Sequence, residues 1–168
     1  MSMSTKIGKY TLRLDTSPSI IGSAAIGGKK EGEGPIGKMF DLVNYDALFG
    51  QKSWELAESE MQRQAAQKVL DKCSLSPGDI QYLFAGDLLN QIVASHYGLR
   101  ELGIPFFGLY GACSTMAESL ILSSMMIEGG LAKKVMAITS SHFCSAERQF
   151  RFPLEYGGQR APTSQWTA

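Results

Sequence analysis

The feature that most constrains the fold is an alternation of short apolar runs with segments of helical periodicity, which begins at Ser53 and continues to Ser141. The apolar runs predict strands, and the periodic segments between them predict helices of roughly ten to twenty residues. In chain order the segments are SWELAESEMQRQAAQKVLDK, QYLFAG, NQIVASHYGLREL, IPFFGLYGA, STMAESLILSSMMIEGG and KVMAITSS. Strands that alternate with helices in this way predict an α/β fold, a three-layer α/β/α sandwich on a mainly parallel sheet.

The helix from Ser114 to Glu128 differs from the two before it, which are amphipathic. It carries one charged residue inside its length, Glu118, and is otherwise apolar or small on every side. Gly129 and Gly130 follow it and predict its C-terminal end. A helix without a polar face is normally buried on all sides. Because a domain of this size rarely encloses a helix completely, we expect another domain or subunit to cover it.

The first fifty residues predict less regular structure. The segment YTLRLDTSPSIIGSAAIG predicts a strand, a turn and a second strand, and GGKKEGEGPIGK predicts a solvated surface loop. Residues Gly32 to Lys38 match the spacing of a phosphate-binding loop, but Met39 stands where a hydroxyl is required to hold magnesium. Pro35 also removes one backbone N–H donor. Nucleotide binding is therefore not predicted.

Composition excludes several classes of function. The 168 residues carry 16 basic and 16 acidic side chains, so no general attraction to nucleic acid or anionic lipid is expected. Three cysteines without a C-x-x-C pair predict reduced thiols in the cytoplasm, and no metal site or cofactor is expected. No signal peptide is predicted, and the most apolar segment, Leu120 to Ile127, is too short to cross a bilayer. Any membrane association would come through a partner.

Cys113 is a candidate for chemistry because it stands where the run IPFFGLYGA ends and the apolar helix begins. A helix N-terminus favours thiolate, and open α/β sheets bind ligands at the carboxyl ends of their strands. A lone cysteine is as often a small buried hydrophobic residue. The sequence leaves these two interpretations open. It does exclude an α/β-hydrolase, because Thr115 takes the place of the second glycine of a nucleophile elbow.

Polar residues also follow two of the other predicted strands. His142, Arg148, Arg151 and Arg160 come after the last strand, which ends at the same edge of the sheet as the cysteine. Arginines in such a place can hold carboxylates in bidentate pairs, although a solvated loop with ordinary ion pairs is the more frequent outcome. Asp87, at the end of QYLFAG, either faces the same crevice or caps the helix after it, and capping is favoured.

Several long strings of the chain carry a specific resemblance. They are GPIGKMFD with QKSWELAE, GDLLNQ, GACSTMAESL, and TSSH with AERQFRFPLEYGGQ. Together they closely resemble the stage V sporulation protein AD family of spore-forming bacteria, from about Ser19 to Gln159. That family is similar to thiolases and β-ketoacyl synthases. The resemblance implies two similar α/β/α halves related by a pseudo-dyad, each with a mixed sheet, and residues 1–168 would form the N-terminal half.

The resemblance also implies a role. It implies that members of the family move dipicolinic acid (pyridine-2,6-dicarboxylic acid) into the developing spore and out during germination, binding it themselves beside other stage V membrane proteins. By this resemblance the chain would bind dipicolinic acid without catalysis. It would lie in the cytoplasm and be held at the spore inner membrane by its partners, which would include a second thiolase-like half or another copy of the chain.

The resemblance places Cys113 at the position of the thiolase nucleophile, at the start of the helix that packs against the second half. The acid–base residues of a thiolase site come from that second half. We expect the chain to end before them, and before the last strand of its own half. The favoured function is therefore a non-catalytic binder, and the alternative is an acyltransferase that forms a thioester on the cysteine. The candidate ligand-binding residues are Cys113, Ser114, His142, Arg148 and Asp87.

Overall fold

The strands and helices form in the order that the sequence predicts for its central part. The computed structural model describes residues 5–150, with side chains described as far as Ala146. The strands are β1 (Thr5–Ile7), β2 (Thr11–Arg13), β3 (Ile26–Gly27), β4 (Leu42–Val43), β5 (Tyr82–Gly86), β6 (Phe106–Gly108) and β7 (Val135–Thr139). The helices are α1 (Lys29–Glu33), α2 (Trp54–Cys73), α3 (Val93–Leu99), α4 (Thr115–Glu128) and α5 (Phe143–Phe150), joined in places by short 3₁₀ turns.

Strands β5, β6 and β7 form a parallel sheet in the order β6-β5-β7, with Leu83 of β5 opposite Phe106 and Met136. Because side chains alternate along a strand, one face of the sheet packs on α2 and α3. The buried core on that face is Ala66, Leu70, Ile80, Leu83, Ala85, Leu99, Met136 and Ile138. Helix α4 packs on β5 and β7 at the other face, close to Gly86. The predicted three-layer α/β arrangement with a parallel sheet is therefore confirmed.

Helix α2 begins and ends where its sequence provides caps. Ser53 is extended and its hydroxyl accepts the N–H of Leu56 at 3.3 Å, which confirms Ser53 as the N-cap. Ser74 ends the helix in the left-handed conformation, at φ 54°. Helix α3 lies very close to α2, because a Cβ atom added at Gly98 would collide with the carbonyl oxygen of Ser59. The contact between these two helices therefore depends on a residue without a side chain.

Helix α4 buries its small hydroxyl side chains and exposes its large apolar ones. Thr115, Ser119 and Ser123 are buried, and the helix ends at Glu128, ahead of the two glycines that predict its end. The exposed apolar side chains are Met116, Leu120, Ile121 and Met125, which are between 38% and 55% exposed. The sequence predicts that another domain or subunit covers this helix, and within residues 5–150 one side of it is uncovered, so that covering stays a prediction. Small side chains allow the close approach to the sheet, and the larger ones point away from it.

The segment before α2 differs most from its prediction. Its first predicted strand forms as β2, which pairs antiparallel with β1 in a separate hairpin. Its second predicted strand is reduced to β3, which pairs in parallel with β4. The predicted solvated loop instead contains α1 and a 3₁₀ turn, Gly37–Met39. Glu31 accepts the N–H of Gly28 at 3.1 Å, and Gly37 packs on the carbonyl of Gly32, where a Cβ atom would not fit. The glycines of this segment thus serve close packing as well as turns.

A cavity of about 360 Å³ runs along the outer edge of β7. All five residues of β7 line it, together with residues 18–24 and side chains of α2 and α4. Among the described strands β7 pairs only with β5, so its other edge faces this cavity. The chain just before residue 18 is fixed to α4, because the Glu128 carboxylate accepts the N–H groups of Asp15 and Thr16 at 2.9 and 3.0 Å.

Candidate functional site

The three parallel strands end at one edge of the sheet, and the segments that follow them carry the predicted site residues. Asp87 follows β5, the turn with Cys113 follows β6, and the loop with His142 follows β7. Two of these segments are in direct contact, because a Cβ atom at Gly86 would collide with the carbonyl oxygen of Leu109. The residues beyond β5 and β6 therefore form one packed surface at the edge where open α/β sheets bind ligands.

Cys113 is exposed and lies in the 3₁₀ turn Ala112–Ser114, which separates β6 from α4. Strand β6 ends at Gly108, so the prediction that it runs directly into the cysteine is wrong. The intervening residues turn sharply, with Ala112 in the left-handed region at φ 48°. The turn lifts the thiol away from the core and presents it just before the first residue of α4. A buried, space-filling role for this cysteine is therefore not what the structure shows.

Hydrogen bonds within the turn order the backbone around the thiol. The Ser114 hydroxyl donates to the Gly111 carbonyl at 2.7 Å, and the Thr115 hydroxyl accepts the Gly111 N–H at 3.2 Å. Ser114, predicted as a ligand-binding residue, thus uses its hydrogen inside the turn and retains only acceptor capacity. One carboxylate oxygen of Glu118 is buried next to Gly111 and has no hydrogen-bond partner among the described residues.

Asp87 is 1% exposed, and both of its carboxylate oxygens accept hydrogen bonds from the protein. One oxygen accepts the N–H of Leu89 at 2.8 Å. The other accepts the N–H of Ser95 at 2.8 Å and its hydroxyl at 2.6 Å. Ser95 is the third residue of α3, so the carboxylate satisfies an N–H group of the first helical turn, the capping role that the sequence favoured. Both oxygens of Asp87 thus have protein partners among the described residues, and contact with a ligand stays a prediction.

His142 is 7% exposed and serves as an anchor within the protein. Its Nε2 atom lies 2.6 Å from the carbonyl oxygen of Ala47, and since a carbonyl can only accept, Nε2 carries the hydrogen. Its Nδ1 atom is buried without a hydrogen-bond partner among the described residues. Arg148 belongs to α5, but its side chain lies outside the described part of the structure. Ligand contacts by Arg148 stay a prediction, as do those of Arg151 and Arg160, which lie beyond residue 150.

A buried hydrogen-bond network lies beneath these segments, and sequence reasoning missed it. Gln62 of α2 donates to the hydroxyl of Ser95 at 2.9 Å and to that of Ser140 at 2.7 Å. Ser95 in turn donates to Asp87 at 2.6 Å, and Ser140 donates to Glu58 at 2.8 Å. The network joins the segments after β5 and β7 through α2. Because α2 is rich in polar residues throughout, nothing in its sequence distinguishes Glu58 and Gln62, which become buried in the network.

Glu58 is a carboxylate with no exposed surface. The hydroxyls of Ser145 and Ser140 donate to its two oxygens at 2.6 and 2.8 Å. Burial raises the pKa of the Glu58 carboxyl above its ordinary value, and the negative charge of Asp87 contributes in the same direction, while the two hydroxyls and His142 act against the rise. Glu58 is thus a buried acid whose charged form depends on neutral hydroxyl donors.

Residues 5–150 contain neither a group of three or more histidine, cysteine or acidic side chains that could hold a metal ion nor a helix capable of crossing a membrane.

Comparison with known proteins identifies the family. The sequence profile of stage V sporulation protein AD (SpoVAD) matches residues 8–168. The chain belongs to this family. Stage V sporulation protein AD of Bacillus subtilis (strain 168) is 43% identical over 157 residues, which cover 94% of this chain and 46% of that protein. The resemblance drawn from the sequence strings is confirmed, and the chain spans about half the length of the curated SpoVAD relative.

Two solved structures are similar to about half of the SpoVAD chain. The 3-oxoacyl-[acyl-carrier-protein] synthase III from Aquifex aeolicus VF5 is 26% identical with a TM-score of 0.46, over 52% of this chain and 30% of that one. The priming β-ketosynthase from the R1128 polyketide biosynthetic pathway is 19% identical with a TM-score of 0.45, over 56% and 31%.

Proposed function

We propose that the chain is the N-terminal half of a SpoVAD protein that binds dipicolinic acid without catalysis and takes part in its uptake into developing spores and its release in germination. Membership of the family carries this proposal. The ligand is a flat aromatic dianion, so its site needs apolar walls together with fixed N–H or cationic donors.

The electrostatics of the described site support an anionic ligand. Helix α4 directs the positive end of its dipole towards the turn that carries Cys113, where the N–H groups of Ser114 and Thr115 are bonded to the carbonyls of Gly111 and Ala112.

Two carboxylates beneath the site, Asp87 and Glu58, are 1% and 0% exposed and accept N–H and hydroxyl donors from the protein, which reduces their repulsion of a bound carboxylate. A third carboxylate, that of Glu118 in α4, has one buried oxygen next to Gly111 without a partner among the described residues, and its charge would oppose an anionic ligand.

An acyltransferase would need a general base beside the Cys113 thiol. The chain has two histidines. The ring of His96 packs edge-on against that of Phe106 at a centroid distance of 5.0 Å, and His142 is bonded to the carbonyl of Ala47. Within residues 5–150 no hydrogen bond joins either imidazole to the cysteine. A thiolase-type site takes its acid–base residues from the second half, so the described half supplies the thiol alone, and the choice of binding over acyl transfer rests on membership of the family.

Calorimetry with dipicolinate on the full-length protein tests the proposal. We expect Arg148→Ala to weaken binding by a factor of about ten to a hundred, because a charge-assisted hydrogen bond contributes about 1.5–3 kcal/mol. Cys113→Ser should weaken it much less, since a binder needs the shape of the thiol and not its nucleophilicity. Isophthalate, which lacks the ring nitrogen but has the same two carboxylates, is the matched control ligand.

Failure of the wild-type protein to bind dipicolinate would reject the function. Unchanged affinity in Arg148→Ala would remove that arginine from the site. Acylation of Cys113 by a reactive acyl thioester, together with complete dependence of binding on the sulfur, would favour the acyltransferase instead.

The proposal extends to where the protein acts. The full-length protein would lie in the cytoplasm and reach the spore inner membrane through other stage V sporulation proteins. In fractionated sporulating cells it should sediment with membranes only while those partners are present. Membrane association of the purified protein alone with lipid vesicles would contradict this part.

A further inference from the structure

Gln62 occupies an unusual place beneath the candidate site, because its one side chain reaches segments that follow two different strands. It is 1% exposed and contacts Ser95, 33 residues away in sequence, and Ser140, 78 residues away. We propose that Gln62 is a positioning residue of the dipicolinate site, which fixes the segment after β5 relative to the loop after β7. This inference rests on the proposed function. It adds to that function a residue that fixes the positions of the two segments bordering the site.

The hydrogen atoms of the network can be assigned one by one. The Gln62 amide nitrogen has two hydrogens, and the Ser95 and Ser140 hydroxyls accept them. Each serine then has a single hydrogen to donate, and it goes to Asp87 and Glu58 respectively. The carbonyl of Gly86 lies 3.4 Å from Nε2 and can only accept, which favours the nitrogen at this end of the amide although both of its hydrogens are directed to the serines.

The network reaches α5 as well as the two loops. Glu58 lies one turn before Gln62 on α2 and also accepts the hydroxyl of Ser145 at 2.6 Å. Since Ser145 belongs to α5, the helix that carries Arg148 is tied to the same row of hydrogen bonds. The network already contains one unpartnered atom, the buried Oε1 of Gln62, and the loss of the Nε2 donor would leave further buried groups without partners. Removing the Gln62 donor should therefore loosen both sides of the site at once.

Gln62→Glu is the sharpest test, because it keeps the shape of the side chain and removes both donated hydrogens. In the full-length protein we expect dipicolinate affinity at neutral pH to fall at least about tenfold. Affinity should recover as the pH is lowered, because a protonated glutamic acid regains one O–H donor. Wild type titrated in parallel corrects for protonation of the ligand and of the titratable groups of the described site, which are Glu58, Asp87, Cys113, Glu118 and His142.

Two further variants separate positioning from a loss of stability. Ser140→Ala removes the link between Gln62 and Glu58, and Ser140→Thr retains the hydroxyl and should restore affinity. Gln67→Glu makes the same chemical change on the exposed side of α2, where Gln67 bonds to Asp71 at 2.8 Å, and should leave affinity unchanged. Thermal melting of each variant identifies any that fails to fold. If Gln62→Glu does not fold, the comparison of Ser140→Ala with Ser140→Thr tests the positioning role instead.

The outcomes distinguish this inference from the proposed function. If wild type does not bind dipicolinate, the function itself fails. If wild type binds and Gln62→Glu binds equally well, the positioning role is overturned. It is also overturned if Gln62→Glu stays weak at every pH and Ser140→Thr is as weak as Ser140→Ala, because both results would indicate a general loss of packing.

Discussion

Cys113 and Cys73 occupy different environments, and this difference should appear in their reactivity. Cys113 is exposed at the start of α4, whereas Cys73 is half-buried with its sulfur 3.7 Å from the carbonyl of Ile21. Since the exposed thiol of Cys113 is open to the reagent and that of Cys73 is partly covered, we expect iodoacetamide to modify Cys113 several-fold faster. Mass spectrometry of the alkylated peptides from the folded full-length protein measures both rates. Equal alkylation rates would show that Cys113 reacts no faster than Cys73 and contradict the prediction. Cys113→Ser is the control variant.

Because of Glu58, the free energy of unfolding should decrease as the pH rises, opposite to the effect of a carboxyl whose pKa is lowered by folding. Burial raises the pKa of its carboxyl above the ordinary 4.5, so between pH 4.5 and the raised value the folded state holds a proton that the unfolded state has released. Folding stability therefore falls as the pH rises through this window. Glu58→Gln should remove that slope in urea titrations at a series of pH values.

The matched control for this prediction is Glu60→Gln on the same helix. A hydrogen bond from the Arg63 guanidinium lowers the pKa of the Glu60 carboxyl, so its stabilising contribution is lost as the pH falls and the sign is opposite. A slope that persists unchanged in Glu58→Gln would show that another buried group is responsible.

Among the elements, the contact of α2 with α3 gives the clearest prediction. A Cβ atom at Gly98 would collide with backbone atoms of Ser59, which cannot move as a flexible side chain does. Gly98→Ala should therefore destabilise the protein by about 1–3 kcal/mol, the range for overpacking a close contact. At Gly78 the nearest atom to an added Cβ is the Ser76 hydroxyl oxygen at 3.8 Å, so Gly78→Ala should change stability by about 0.5 kcal/mol or less. Denaturant unfolding of both variants makes the comparison, and equal midpoints would contradict it.

The elements that the sequence predicts well are those whose pattern is local. The strands around Leu83 and Met136 and the N-cap at Ser53 depend on neighbouring residues, and they form as expected. The strand before Cys113 ends at Gly108, and the turn after it places Ala112 in a left-handed conformation that the apolar pattern does not signal. The buried pair of Gln62 with Ser140 joins residues 78 apart in sequence, so only the assembled fold creates it.

For the whole molecule, the distribution of apolar surface indicates a partner on the α4 side of the sheet. The ring of Phe107 is 46% exposed although it stacks on that of Phe84 at a centroid distance of 5.0 Å. The exposed apolar side chains of α4 lie on the same side of the sheet, opposite the core around Leu83. An exposed apolar area of several hundred Å² is typical of an interface. A second thiolase-like half or another copy of the chain would satisfy it.

We therefore expect the 168-residue chain alone to self-associate or to fold poorly, and Ile121→Glu to shift it towards a monomer. Ile121 is 55% exposed, so a charge there meets water in the monomer but would be desolvated in an interface. Met39→Glu is the control, since Met39 is 79% exposed on the 3₁₀ turn Gly37–Met39, outside α4. Sedimentation velocity over a range of concentrations measures the association of each variant. A wild-type chain that stays monomeric at every concentration and melts cooperatively would show that the exposed face of α4 needs no partner.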